Sequence, residues 1–101
     1  MKKIFILIFL TFNINSYAIT PNEMFVVIGA VKYYNENCGG LTHQGMKKMN
    51  KSLKHFDMEK TPIGILERNS MAISGYQTAQ KFGCKGTKQQ AQESGYGKYI
   101  N

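Results

Sequence analysis

Apolar residues are spread along this chain in unlike ways, and each pattern predicts a different element. Ile4 to Leu10 is an unbroken apolar run. Met24 to Val31 is apolar at nearly every position, with Gly29 as the only gap. Met46, Met49, Leu53 and Phe56 recur at spacings of three, four and three, the period of one helix face. From 63 to 82 the apolar residues thin out, and beyond Cys84 the chain is largely polar until Tyr96, Tyr99 and Ile100.

The 24–31 run is preceded by a complete helix-start signal. Thr20 stands at the N-cap, Pro21 at the first helical position and Glu23 at the third, with Ile19 and Met24 as a flanking hydrophobic staple. A core strand competes, because Val26, Val27, Ile28 and Val31 favour strands. The capping box decides for a helix over 21–36. A helix apolar on nearly all sides is the buried one of its bundle, and Gly39-Gly40 ends it.

The second predicted helix runs from Leu41-Thr42 to about Asp57, its methionine and leucine stripe facing the core. Lys47, Lys51 and Lys54 fall on a different face, with Lys48 a little further round. Lys60-Thr61-Pro62-Ile63-Gly64 reads as a turn or as the start of a third helix, with Thr61 capping and Pro62 in its first turn, and Ile65, Leu66, Ile73 and Tyr76 carry that helix to about Phe82. Gly64 and Gly75 weaken it, and Asn69 or Ser70 is placed to cap a fresh helix after a break there. Gly83 ends it. Thr87-Lys88-Gln89-Gln90 repeats the capping pattern, predicting a short helix over 88–94. Residues 95–101 read as an extended or loose tail that either docks through Tyr96, Tyr99 and Ile100 or frays. The fold class is therefore all-α, a three- to four-helix up-down-up bundle.

Residues 1–18 have the make-up of an export signal: Lys2 and Lys3, the apolar run, then Ser16-Tyr17-Ala18 with small residues before a cut after Ala18. Residues 19–101 then form one small domain, near the size at which a hydrophobic core alone is marginal. Export favours disulfides, and Cys38 and Cys84 are the only two cysteines. Each follows a predicted helix end, and in an up-down-up bundle the ends of the first and third helices share a pole. A Cys38–Cys84 bond closing a loop this long contributes about 4 kcal/mol on the chain-entropy model. The expected location is periplasmic or secreted.

Of the thirteen basic residues Lys2 and Lys3 fall in the leader, so eleven face six acidic ones in the remainder, a formal net charge of +5. The geometrically defined basic feature is Lys47, Lys48, Lys51 and Lys54, the candidate anion- or partner-binding face; a solvated lysine-rich surface is the plain alternative. Catalytic motifs are sparse. His43 and His55, twelve positions apart on one helix, stand about 18 Å apart, too far to share a metal. The carboxylates Glu23, Glu36, Asp57, Glu59, Glu67 and Glu93 form no recognisable acid pair, and Gly95-Tyr96-Gly97 lacks the strand and helix of a phosphate loop. Lys32-Tyr33-Tyr34 and Lys98-Tyr99 have the make-up to stack on sugars or bases, but Tyr33 or Tyr34 reads better as closing the core while its hydroxyl reaches water. No metal and no cofactor is expected.

The layout of leader, short helical body and one long-range bond between Cys38 and Cys84 is similar to that of the small periplasmic acid-stress chaperones, although the basic balance here departs from theirs. It suits secreted inhibitors and immunity proteins equally. The functional expectation is an exported, non-enzymatic protein-binding module of the bacterial envelope. A binder of anionic polymers, lipid or nucleic acid through the lysine face is the alternative, and a small secreted hydrolase or toxin a remote third.

Overall fold

A computed structural model describes residues 20–101. The expected leader, its cleavage after Ala18 and Ile19 of the staple lie outside the described residues. Four helices follow one another: α1 (Pro21–Asn37), α2 (His43–His55), α3 (Ile63–Leu66) and α4 (Ser70–Glu93), then a 3-10 turn (Gly97–Tyr99). The fold is a small all-α bundle stapled by one disulfide, Cys38–Cys84, with Cα atoms 5.5 Å apart.

α1 starts as its capping box requires. The Glu23 amide donates to the Thr20 hydroxyl at 3.2 Å, and the Thr20 amide donates to the Glu23 carboxylate at 2.8 Å. Met24 and Ile28 are fully buried, and with Met58, Leu66 and Ala72 they form the main core cluster. α1 packs chiefly along α4, and two glycines set how closely. A Cβ on Gly29 would lie 1.7 Å from the Ala72 carbonyl oxygen, and one on Gly75 would lie 2.0 Å from that of Val26. Backbone therefore meets backbone in both directions. The two glycines hold the helices together rather than weakening them.

α2 departs from its predicted stripe. Met49, Leu53 and Phe56 pack against the core only half-buried, and Met46 is 48% exposed. The buried positions of α2 are Gly45 and Ser52. Small residues take the inner face because the neighbouring chain lies against it: a Cβ on Gly45 would stand 2.0 Å from the Tyr99 carbonyl.

The third predicted helix is broken where Asn69 and Ser70 stand. α3 is a single turn, and Asn69 caps α4 by accepting from the Met71 amide at 2.8 Å. α4 then kinks at Gly83, whose φ of 73° and ψ of 177° belong to glycine alone. Gly83 ends the first helical segment of α4 as expected, and a second segment opens at once, earlier than the predicted residue 88, and runs from Cys84 to Glu93. Thr87 consequently caps nothing. It is buried, and its hydroxyl donates across the kink to the Ala79 carbonyl at 3.3 Å.

Residues 95–101 dock as a strap. Tyr96 is buried, Leu41 and Ile100 form an isolated antiparallel bridge, and the Thr42 amide donates to the Tyr99 carbonyl at 2.9 Å. The Thr42 hydroxyl donates to the Lys98 carbonyl at 2.7 Å. Asn101 fastens the end: its amide donates to the Gly40 carbonyl, its side chain to those of Gly39 and Leu41, and its carbonyl accepts from the Tyr34 hydroxyl.

Candidate functional site

The four lysines singled out in the sequence divide. Lys47, Lys51 and Lys54 are exposed on the outer side of α2, whereas Lys48 is half-buried. Lys48 turns toward an apolar slot beneath the strap, which it helps to line. The lysine face is thus three residues of solvated stripe and one of pocket rim.

His43 and His55 are the first and last residues of α2, both exposed, so the helix itself keeps them apart. Cys38, five residues before His43, is committed to the disulfide and offers no thiol nucleophile. Among the described residues no group of three or more His, Cys, Asp and Glu side chains is placed to hold a metal ion.

Among the described residues two concave features stand out. The first is an open groove of about 260 Å³ between α1 and α4, lined by Lys32, Glu67, Ile73, Tyr76, Gln77 and Gln80. Its floor is organised by Tyr76, whose hydroxyl donates to the Glu36 carboxylate at 3.0 Å and whose ring stands edge-on to Tyr33. The Lys32 ammonium lies 5.5 Å from the Tyr76 ring centre and 4.0 Å from Glu36. Ile73, which lines this groove, is one of four exposed aliphatic side chains, with Ile63, Ile65 and Met71, that fall within one stretch of eleven residues.

Sequence reasoning used Ile65 and Ile73 as apolar markers of the third helix and passed over Ile63 and Met71. A signal was present. Residues two apart on a helix point to different sides, so Ile63 with Ile65, and Met71 with Ile73, cannot all face one core. Leu66 and Ala72 take the inward positions instead.

The second feature is the slot beneath the strap, two adjoining compartments of about 60 and 40 Å³ that share Val27, Val31, Leu41, Ala91 and Ile100. Tyr96 and Tyr99, with ring centres 5.5 Å apart, wall the larger one. Burial pushes the Tyr96 phenol well above its ordinary range, with Tyr99 adding to the effect, and burial raises Tyr34 as well. Both hydroxyls are therefore neutral at physiological pH.

Comparison of the chain with protein-family models, curated proteins and solved structures finds no match. The class is set by the fold alone, a disulfide-stapled helical bundle, and the functional reading rests on these residues.

Proposed function

We propose that this is an exported, non-enzymatic protein that binds another protein of the bacterial envelope, as inhibitor, immunity factor, chaperone or accessory of an envelope machine. The observation that carries this reading is the group of exposed aliphatic side chains Ile63, Ile65, Met71 and Ile73 at the α3–α4 corner. Four of the five large apolar side chains exposed among the described residues thus fall in one stretch of eleven, and a concentration of exposed apolar residues marks an interaction surface more often than scattered ones do. The adjoining groove adds a polar rim, with Lys32 and Glu67 of opposite charge and the amides of Gln77 and Gln80, the arrangement of an interface with a dry centre. The disulfide supports an extracytoplasmic setting.

Cross-linking in envelope extracts of the organism of origin, followed by purification, is expected to yield one stoichiometric protein partner. Ile65→Glu with Ile73→Glu should abolish its capture, while Lys51→Glu should leave it intact. Capture that ignores both isoleucine changes, or no partner at all, overturns the reading.

A second reading is a cationic binder of anionic envelope polymers, lipid or nucleic acid, favoured by the exposure of Lys47, Lys51 and Lys54 along one side of α2. Such binding weakens steeply with salt. Affinity for polyanions that holds from low to high ionic strength removes it.

A further inference from the structure

The groove between α1 and α4 is more selective than a plain polar rim. Ile73, Tyr76, Gln77 and Gln80 follow one another at helical spacing, so a single face of α4 forms its wall. Lys32 stands opposite on α1, and Glu67 closes the end where α3 stops.

The charges of the groove differ in what holds them. One oxygen of the Glu36 carboxylate accepts from the Tyr76 hydroxyl at 3.0 Å, and the other lies 4.0 Å from the Lys32 ammonium. The same ammonium lies 5.5 Å from the Tyr76 ring centre. Glu67 is half-buried, yet no hydrogen bond or ion pair among the described residues engages its carboxylate. With Glu36 counted, the groove sets two carboxylates against one ammonium, on a chain whose formal charge is +7. The uncommitted charge is negative. A protein covering the isoleucine corner, to which Ile73 belongs, takes water away from Glu67 as well. A carboxylate that loses water needs a cationic donor in exchange.

Shape selects among cations. A cavity of about 150 Å³ holds benzene; an arginine side chain has one heavy atom more, so an open groove of about 260 Å³ admits it whole. A guanidinium is flat, pairs with a carboxylate through two parallel N–H bonds and lies well against an aromatic ring. Glu67 supplies the carboxylate and Tyr76 the ring. The amide oxygens of Gln77 and Gln80, both exposed, supply acceptors for the remaining N–H groups. A lysine ammonium is a point charge that uses neither the fork nor the ring.

We propose that this groove receives an arginine side chain of the partner protein, its guanidinium paired with Glu67 beside Tyr76. The inference rests on the protein-binding reading and gives the partner's surface a chemistry: an arginine at the edge of an apolar patch.

N-acetyl-L-arginine amide, titrated into the oxidised protein and followed by the amide NMR signals of Tyr76, Gln77 and Gln80, tests the groove without any partner. Saturable binding in roughly the millimolar range is expected for so few atoms. The lysine derivative, and the citrulline derivative that keeps the shape without the charge, should each bind about fivefold more weakly or worse. Glu67→Gln should weaken the arginine derivative about tenfold, and Lys51→Gln should leave it unchanged. Absence of saturable shifts, equal affinity for the three derivatives, or binding that survives Glu67→Gln overturns the proposal. In the envelope capture, Glu67→Lys should release the partner. A partner retained by that variant overturns the inference and leaves the protein-binding reading standing. Binding of the arginine derivative with no partner captured overturns that reading, and the partner's arginine with it, while the selectivity of the groove stands.

Discussion

A single methyl group at Gly75 decides whether α1 and α4 can touch. Its Cβ would sit 2.0 Å from the Val26 carbonyl oxygen, a backbone atom that cannot rotate away. Gly75→Ala should therefore destabilise by about 3 kcal/mol in urea unfolding, at the upper end of overpacking costs. Gly64→Ala meets no atom within 4 Å, so the same substitution there should stabilise by about 0.5–1 kcal/mol through a less flexible unfolded chain. The sequence alone could not separate these positions: both read as flaws in a helix. A glycine records a missing side chain, not the neighbour that needs the space. The Thr20–Glu23 box was legible because all its partners lie within four residues.

Among the elements, those specified by local chemistry were foreseen and those specified by distant packing were not. α1, the Asn69 break and the pairing of Cys38 with Cys84 follow from caps, turn residues and the geometry of a short bundle. Met46 obeys the helical period yet faces out, because the strap claims the inner side of α2 at Gly45. Thr87 looks like a cap, but the kink at Gly83 lets helix resume before it and draws its hydroxyl back to Ala79. The docked strap depends on hydrogen bonds between 98–101 and 39–42, sixty residues apart in sequence, which no periodicity reveals. The candidate site suffers likewise: Lys48 belonged to the lysine face by spacing and to the slot by packing. Asn69→Ala should cost about 1 kcal/mol by removing the α4 cap. Reduction of the disulfide should cost about 4 kcal/mol, seen as a lower melting temperature once two thiols titrate.

For the molecule as a whole, the buried phenols fix the alkaline limit. The native pKa of Tyr96, and that of Tyr34, lies above the ordinary value of 10.0, so above that pH the unfolded chain has lost protons that the native state still holds. The stability they contribute is complete below about pH 10 and declines as pH rises beyond it. Melting temperatures across that range should fall, and Tyr96→Phe should flatten the decline. The disulfide has a mechanical corollary. When the chain is pulled from Thr20 and Asn101, tension passes down α1, crosses from Cys38 to Cys84 and leaves through the end of α4, bypassing 46 positions of sequence. Stretched to full length, the oxidised protein should be shorter than the reduced one by about 150 Å. The bypassed segment includes α2, α3 and the isoleucine corner, so a partner gripping that corner holds a closed loop that carries none of the load between the chain's ends.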